Sequence, residues 1–253
     1  MVTGTISRLW RWPVKSMAGE EVTTLRLDGH GVGGDRAHAV LHEHKGEWKP
    51  LTAREAPGLL AWSAAYGPEL NGGVEPANPP QAILSPPDRR RSWRWDDPEL
   101  RAVLERDLGR PVRLLREPTG VPDVADHILV TAAGTLRALA EELGKDVDPR
   151  RFRPNLHLEL DSPAWAEESW IGAEVSFEGG VRLELTESCE RCAIPTRDPD
   201  TREKWPDLLK HLAARHGQNF GVLARVAQGG TVATGEAVRI DAGTASVSLP
   251  SRR

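Results

Sequence analysis

The sequence predicts a mostly β fold with a few peripheral helices. Apolar and polar residues alternate in several stretches, for example AHAVLHE at 37–43 and VRLELT at 181–186, and this is the period of a half-buried strand. Glycine clusters at 29–34 and 179–180 stand between such stretches, where hairpin turns require positive φ angles. Helical patterns with clear stop signals are few, so strands are expected to build the core.

The N-terminal part is predicted to form strands, turns and a helix. Residues 1–16 alternate well enough for a strand that ends at Pro13, because proline cannot donate to an interior ladder. A second strand, at 21–28, leads into the first glycine cluster. Alternation continues after that cluster, which indicates a hairpin, whereas the glycines of a dinucleotide-binding turn would open a helix. Residues 97–108 predict a helix that ends at Gly109.

A loop-rich stretch at 117–124 divides the chain into an N-terminal β-rich domain, residues 1–120, and a second domain, residues 121–253. The second domain is predicted to contain, in order, a strand at 128–131, a helix that ends at Gly144, a strand at 156–160, two strands around the 179–180 hairpin, a helix at 208–216 and closing strands from residue 220. The last ten residues are small and polar and are expected to fray.

Composition and charge argue against several classes of function. The formal net charge of −4 gives no field that would attract nucleic acid or an anionic membrane. A basic, aromatic run at 89–95 is better explained as one face of a sheet. No apolar run approaches the ~20 residues of a membrane span, and the first twenty residues lack the apolar segment of a signal peptide. Two cysteines are too few for a secreted disulfide framework. We therefore expect a cytoplasmic protein with no nucleic-acid or membrane partner.

The candidate chemistry is concentrated at 185–201, LTESCERCAIPTRDPDT, which contains both cysteines of the chain. Alternation before Cys189 predicts a strand, and the prolines and aspartates after Cys192 predict a loop. The two thiols are therefore expected at a strand-to-loop junction, where a rigid scaffold presents side chains to a ligand.

Several interpretations of this C-x-x-C pair stay open. Together with His211 and His216 it could form a four-ligand zinc site. A thioredoxin-like dithiol needs a helix directly after the pair, which Pro195 disfavours. One thiolate could instead be a soft metal ligand or a sulfur-handling nucleophile, activated by Arg191 and Arg197. The simplest alternative is a pair of reduced, partly buried cysteines without chemistry.

The run CERCAIPTRDPDT resembles the signature of the MOSC-domain family, named for the C-terminal domain of molybdenum cofactor sulfurase, in which C-x-R-C precedes a TT-x-DPDTG run. In family members that reduce amidoximes, the second cysteine of this motif ligates molybdenum. The resemblance therefore implies that Cys192 is the metal ligand and the catalytic residue. The chain departs from the signature at Pro195, Arg197 and Arg202, and these changes leave the thiol untouched.

Two N-terminal motifs resemble the same family. WPVKSM at 12–17 is similar to the YPVKSC motif that opens the N-terminal MOSC-associated domain. The lysine and serine of that motif bind the cofactor, which implies this role for Lys15 and Ser16. The GDR at 34–36 is also similar to the family, whose arginine helps to hold the cofactor phosphate, and this implies an anion-binding role for Arg36.

Two further resemblances lie in the second domain. RRFRPN at 150–155 is similar to the run that precedes a strand in MOSC proteins, which implies that Arg153 binds the cofactor phosphate with Asn155 beside it. A guanidinium suits this task because it offers a planar, permanently charged fork of donors. The family also has a serine or threonine at a strand-to-helix junction, which makes Thr131 a cofactor-binding candidate, although its hydroxyl could simply cap the helix.

The resemblance implies a MOSC β-barrel, a preceding β-rich domain and a bound molybdenum cofactor, Mo-molybdopterin. It also implies reduction of a small N-hydroxylated substrate. Because nothing in the sequence resembles an iron–sulfur or flavin site, electrons are expected from a separate ferredoxin-, flavodoxin- or cytochrome-type protein. Two alternatives stay open. One is a sulfur carrier or sulfurtransferase with a persulfide on Cys192 that Cys189 resolves, and the other is a non-catalytic carrier of the cofactor.

Overall fold

A computed structural model of the protein describes residues 1–67, 70, 73–121 and 128–241. The C-terminal segment that is predicted to fray lies outside these residues. Within them strands dominate and three α-helices pack against them, so the predicted mostly β class is confirmed. None of the helices in this described part is long and apolar enough to cross a membrane.

The elements are numbered in chain order. The strands are β1 (Val2–Arg11), β2 (Glu20–Val22), β3 (Thr24–Asp28), β4 (Gly31–Val32), β5 (His38–His44), β6 (Glu47–Pro50), β7 (Ser63–Ala65), β8 (Ile83–Ser85), β9 (Trp93–Arg94), β10 (Arg113–Arg116), β11 (Ile128–Ala132), β12 (Leu156–Leu160), β13 (Glu174–Phe177), β14 (Arg182–Glu190), β15 (Asn219–Gln228), β16 (Gly230–Ala233) and β17 (Ala237–Asp241). The helices are α1 (Leu100–Leu108), α2 (Ala133–Leu143) and α3 (Pro206–Arg215), with short 3-10 turns at Pro57–Ala61, Pro149–Phe152, Ala166–Trp170 and Ile194–Thr196.

Seven strands form a closed barrel. They are hydrogen-bonded in the order β12, β11, β15, β14, β13, β17 and β1, and β1 pairs again with β12 to close the ring. Alternation explains the barrel interior: in β14, Leu183 and Leu185 are buried whereas Arg182 and Glu184 point outward. Closure leaves the barrel without the unpaired edges of an open sheet. The barrel core therefore provides a rigid support for loops at its ends.

The first strand of the chain belongs to this barrel. In β1, Val2 pairs with Ile240 of β17, and Leu9 pairs with Leu156 of β12. A second apolar core, separate from that of the barrel, is built from α1 and two three-stranded sheets, β10-β5-β6 and β7-β8-β9. These elements lie between β4 and β11 in the sequence. The predicted division at residue 120 stays a prediction.

Local signals predicted the helix ends better than their beginnings. Gly109 and Gly144 end α1 and α2 in the left-handed conformation, with φ angles of 65° and 61°, as predicted. Helix α1 starts at Leu100 and not at Asp97, because Asp97 closes a turn in which its carboxylate accepts the backbone N–H of Glu99. The strand predicted at 21–28 is divided into β2 and β3, since β2 pairs with β1 and β3 pairs with β16.

Candidate cofactor site

The cysteine motif lies where β14 leaves the barrel. Cys189 is the second-last residue of β14, and Cys192 follows the end of the strand, so the predicted strand-to-loop junction is confirmed. Both cysteines are free and partly exposed. Pro195 lies in a 3-10 turn of only three residues, Ile194–Thr196. The pair therefore does not open an α-helix, and the helix-terminus geometry of a thioredoxin-like dithiol is absent.

Arg191 is directed toward Cys189. Its Nη1 donates to the Cys189 Sγ at 2.8 Å, and its Nη2 donates to the carbonyl of Phe152 at 2.7 Å. The contact places the guanidinium, which the sequence nominated to activate a thiol, directly at this sulfur. Arg197, which the sequence also nominated for this task, donates instead to the carbonyl of Arg202 at 3.4 Å. Of these two arginines, Arg191 is the one that contacts a thiol.

Arg153 connects the second half of the chain to its N-terminal segment. Its Nη1 donates to the carbonyl of Met17 at 2.6 Å, and its guanidinium carbon lies 4.3 Å from the centre of the Trp12 ring. The Trp12 ring in turn donates to the carbonyl of Pro154 at 2.9 Å. Arg153 is only 9% exposed, and its Nη2 is buried with no partner among the described residues. A buried donor without a partner is costly in the free protein and is available to an anionic ligand.

The loop that carries Lys15 and Ser16 is held beside this arginine. Met17, whose carbonyl Arg153 contacts, directly follows Ser16, and the backbone N–H of Lys15 donates to the carbonyl of His38 at 2.9 Å. Arg36 reaches the same place from the next hairpin, because its backbone N–H donates to the carbonyl of Trp12 at 2.7 Å. The structure thus brings together the N-terminal motifs and the RRFRPN motif.

Asp35 fixes the side chain of Arg36. One carboxylate oxygen of Asp35 accepts from the Arg36 guanidinium, and the other accepts from the backbone N–H of Trp12 at 2.7 Å. Asp35 and Trp12 have no role of their own that the sequence alone predicts. Asp35 lies in the GDR motif at 34–36, so that motif could have indicated it. The stacking of Trp12 on Arg153 depends on a contact across 141 positions and has no local signal.

Three of the eight non-glycine residues with positive φ angles in the described part of the chain lie at this place. Ser16, Arg36 and Arg153 have positive φ angles of 69°, 49° and 58°. The left-handed region costs an L-residue roughly 1–2 kcal/mol. Non-glycine residues in such conformations cluster at ligand sites, where the surrounding structure holds them. Three of the predicted cofactor residues share this property, which supports a common ligand.

The charges around Arg153 favour an anion. Its pKa is lowered to about 9, first by burial and then by the nearby cations Arg36 and Arg191, while Asp35 and Cys192 act in the opposite direction. These four groups are therefore within electrostatic range of Arg153. At neutral pH the guanidinium remains protonated, so the interior holds an excess of positive charge beside Cys192.

The other two arginines of the RRFRPN motif hold the loop after the cysteines. Arg150 forms ion pairs with Asp148 and Asp200, both at 2.6 Å, and Arg151 forms one with Asp198 at 2.7 Å. The two motifs that the sequence analysis identified separately are thus in contact. Bidentate arginine–carboxylate pairs fix orientation as well as distance. The loop that follows Cys192 is therefore anchored at its DPD segment.

A cavity of about 460 Å³ opens next to Arg153. Its lining includes Trp12, the Ala18–Gly19 segment and the DPD loop, together with more arginines than carboxylates: Arg8, Arg89, Arg150, Arg151, Arg153, Arg197 and Arg202 against Glu21, Asp148, Asp198 and Asp200. Of the predicted site residues, Arg153 lines this cavity. An excess of cations around a concave site suits a ligand with a phosphate group.

The buried side chains of Thr131 and Asn155 bond to neighbouring parts of the protein. The Thr131 hydroxyl lies 2.8 Å from Nδ1 of His157, and α2 begins at Ala133 without a side-chain cap. The Asn155 amide oxygen accepts from the backbone N–H of Leu129 at 3.2 Å, and its nitrogen donates to the Trp10 carbonyl at 3.4 Å. Both residues support neighbouring strands. Their cofactor-binding role stays a prediction.

The histidines of the proposed four-ligand zinc site do not join the cysteines. His211 and His216 both contact Glu142, and within the described residues these three form a cluster whose ligand atoms lie within 4.8 Å of one another. Neither cysteine belongs to that cluster. The combination of two cysteines and two histidines is therefore not assembled as a metal site.

Two family models match successive parts of the chain. A family model described as the MOSC N-terminal beta barrel domain matches residues 3–80, and a model described as the MOSC domain matches residues 119–239. The chain is 26% identical over 237 residues to the Homo sapiens protein "Mitochondrial amidoxime-reducing component 1", covering 78% of this chain and 67% of that protein.

Two other relatives extend this comparison. The Homo sapiens "Mitochondrial amidoxime reducing component 2" is 26% identical over 249 residues, which covers 82% of this chain and 72% of that protein. "Molybdenum cofactor sulfurase" of Danio rerio is 24% identical over 264 residues, which covers 86% of this chain but only 31% of that protein. Both family models match in the order that the motifs predicted, and the chain belongs to the family of proteins in which a MOSC N-terminal beta barrel domain precedes a MOSC domain.

Proposed function

We propose that this protein binds a molybdenum cofactor and reduces small N-hydroxylated compounds with electrons from a separate protein. The observation that carries the proposal is the buried guanidinium of Arg153, whose Nη2 has no partner among the described residues while Cys192 and Arg36 lie within electrostatic range. An anion-binding group beside a free thiol is the combination that a phosphate-bearing cofactor with a soft metal requires. Two of the relatives are named amidoxime-reducing components, which supports the choice of reaction.

The residues fit the phosphate end of such a cofactor. Arg153 would donate from its unpartnered Nη2, and Arg36 would add a second positive charge. Lys15 and Ser16 lie on the same loop as Met17, whose carbonyl accepts a hydrogen bond from Arg153. A charge-assisted hydrogen bond to phosphate would offset the cost of keeping Arg153 buried and cationic. Anion binding at this position would therefore relieve an unfavourable feature of the free protein.

Cys192 fits the metal end. It is free and partly exposed at the end of β14, next to a loop that Arg151 and Asp198 anchor. A thiolate is a soft ligand and suits a soft metal centre better than a carboxylate does. When bound, the cofactor would supply the redox chemistry that removes the oxygen of an N-hydroxyl group. The overall reduction takes up two electrons and two protons and releases water.

The electrons are proposed to come from another protein. The chain has two cysteines, which is fewer than the four that hold an iron–sulfur cluster. A ferredoxin-, flavodoxin- or cytochrome-type donor in the cytoplasm remains part of the proposal. The cavity beside Arg153 is proposed to admit a small substrate, since its lining combines residues of the N-terminal segment with residues of the DPD loop.

A sulfur carrier is the alternative with a specific observation in its favour. The guanidinium of Arg191 contacts the Cys189 Sγ at 2.8 Å, which holds this sulfur in place near the end of β14. A thiolate there could attack the outer sulfur of a persulfide on Cys192, which would take up that sulfur and release Cys192 as a thiolate. The second relative class, the molybdenum cofactor sulfurase, is named for sulfur chemistry.

One experiment separates these functions. Protein from a host that makes the cofactor should contain about one molybdenum per chain and should reduce benzamidoxime with a chemical electron donor. Cys192→Ala should abolish turnover, because an alanine methyl group cannot replace a metal thiolate, whereas Cys189→Ala should have a mild effect. Absence of turnover, combined with cyanide-labile sulfur on Cys192 after incubation with a cysteine desulfurase, would establish the sulfur carrier instead. Equal losses in the two variants would contradict a single-ligand role.

A further inference from the structure

A cluster of two histidines and a glutamate lies away from the cysteine motif. Glu142 is in the last turn of α2, His211 is in α3, and His216 directly follows α3. Both histidines contact the same oxygen of Glu142, with Nε2 of His211 at 2.6 Å and Nε2 of His216 at 2.8 Å from Oε2. Three potential metal ligands from two helices thus converge on one point.

The second oxygen of Glu142 is held by a tryptophan. Nε1 of Trp165 donates to Oε1 of Glu142 at 3.2 Å, so Oε2 is left to face the histidines. The Trp165 ring also stacks on His216, with ring centres 3.5 Å apart and an interplanar angle of 9°. Metal-binding carboxylates and histidines are normally oriented by a second layer of contacts of this kind. The cluster therefore has both the ligands and the supporting contacts of a metal site.

The exposure of the cluster suits an open coordination position. The side chains of Glu142, His211 and His216 are 29%, 21% and 15% exposed. A zinc ion bound by two histidines and a glutamate keeps a fourth position for water, which needs access to solvent. We propose that Glu142, His211 and His216 bind a zinc ion that ties α2 to α3, independently of the cofactor site.

Only a small movement is required for binding. A zinc ion at about 2.0–2.1 Å from each donor needs donor atoms roughly 3.3 Å apart in tetrahedral geometry. The present distances of 2.6 and 2.8 Å are shorter, so the side chains must separate by less than the length of one bond. Partly exposed side chains at the ends of two helices can make this adjustment by small rotations. The pattern H-x4-H, which the sequence suggested as half of a zinc site, then acquires Glu142 in place of the cysteines.

The position of the site predicts what the metal does. Helices α2 and α3 cover an apolar cluster that includes Leu139, Leu212 and Phe220, and Phe220 stacks on Phe152 at 3.8 Å. The Phe152 carbonyl accepts from Arg191, which contacts Cys189. A metal that links the two helices would stabilise the support behind the cysteine motif and should raise the thermal unfolding temperature of the chain.

The test uses the full chain after removal of metals with a chelator. Zinc titrated against a chromophoric chelator should bind at one ion per chain, and cobalt in its place should give no sulfur-to-metal charge-transfer band. Glu142→Gln and His211→Ala should remove this binding. Trp165→Phe keeps the ring on His216 but removes the donor to Oε1. It should weaken binding about tenfold, at the lower end of what the loss of a hydrogen bond to a metal ligand costs.

Controls make the result specific. His44→Ala removes an exposed histidine elsewhere and should leave zinc affinity unchanged, as should Cys189→Ser. Circular dichroism of each variant shows that loss of binding is not loss of folding. Absence of stoichiometric zinc binding by the unmodified chain, or full binding by a folded Glu142→Gln variant, would overturn the proposal. A sulfur-to-cobalt band would do the same, because it would assign the metal to the cysteines.

Discussion

Arg153 brings a full positive charge to a position that water hardly reaches. Two contacts orient it, with the Met17 carbonyl and the Trp12 ring, and its backbone is held in the left-handed conformation. None of these contacts neutralises the charge, and Arg36 and Arg191 act against it. Its left-handed backbone alone costs roughly 1–2 kcal/mol, which is a large fraction of the marginal stability of a protein. The most direct reason to retain it is a ligand that supplies the missing negative charge.

Replacement of this residue should weaken retention of the cofactor. Arg153→Ala is expected to lower affinity roughly tenfold to a hundredfold, since a charge-assisted hydrogen bond contributes on the order of 1.5–3 kcal/mol. Arg153→Lys keeps the charge but loses the planar fork, and should give an intermediate loss. Molybdenum retained per chain after repeated gel filtration measures the effect. Arg90→Ala, an exposed arginine outside the cavity, is the matched control. If folded Arg153→Ala retains as much molybdenum as the unmodified chain, Arg153 does not hold the cofactor.

His157 predicts an acid limit to the stability of the barrel. Burial lowers its pKa to about 4 from the ordinary 6.5. The neutral form is therefore favoured in the folded protein. The contribution of His157 to the free energy of unfolding is fully present above pH 6.5 and is lost as the pH falls from 6.5 toward 4. Between about pH 7 and about pH 4.5 the loss from this residue should be roughly 2–3 kcal/mol, at about 1.4 kcal/mol for each unit of pKa shift.

Urea unfolding at those two pH values measures this loss. His157→Gln should reduce the difference in the free energy of unfolding between them, because the buried group no longer titrates. His44→Gln replaces an exposed histidine and should leave the difference unchanged. Should His157→Gln keep the full pH dependence, the acid limit arises elsewhere. His38, whose pKa is also lowered to about 4 by burial, would be the next residue to replace.

At the scale of elements, the sequence predicts the strands but not all of their pairing. Strands such as β12 and β14 were predictable because apolar and polar residues alternate over five or six adjacent positions. The break between β2 and β3 was not, since it arises from a change of partner strand. The same limit applies to the seam between β1 and β12, whose paired residues are about 150 positions apart. Sequence patterns give the strands but not the order in which they pair.

The candidate site shows a similar limit. The resemblance implied roles for Arg153 and Arg36, and the structure places Arg36 and Cys192 within electrostatic range of Arg153. It could not indicate that Arg150 and Arg151 bind the DPD loop, because three arginines in four residues do not specify their partners. It also could not show that Asn155 already uses its amide between strands. A motif gives the position of a side chain, whereas its available hydrogen bonds depend on neighbours from other segments.

At the scale of the whole molecule, the chain leaves the barrel and returns to it. Strand β1 lies between β12 and β17 and supplies Ile6 and Leu9 to the apolar core. The second core, with Leu59 and Leu84, is built from the segment between the first strands and the return of the chain at β11. The N-terminal segment therefore meets the second half of the chain at the β1 seam, in the pairing of β3 with β16, and where Arg153 contacts the Met17 carbonyl. Barrel closure and assembly of the site depend on the same N-terminal segment.

Because the barrel includes β1, the division predicted at residue 120 can be tested with a fragment. A fragment of residues 121–253 lacks β1, so β12 and β17 would each present an unpaired edge and the core would lose the side chains of β1. We expect the fragment to aggregate or to unfold without cooperativity, as judged by gel filtration and thermal circular dichroism. Because Val2 pairs antiparallel with Ile240, residues 1–32 joined after Asp241 by a short flexible linker can form a hairpin with β17 and should restore cooperative unfolding. A fragment of residues 121–253 that unfolds cooperatively as a monomer would show that the second domain is complete without β1.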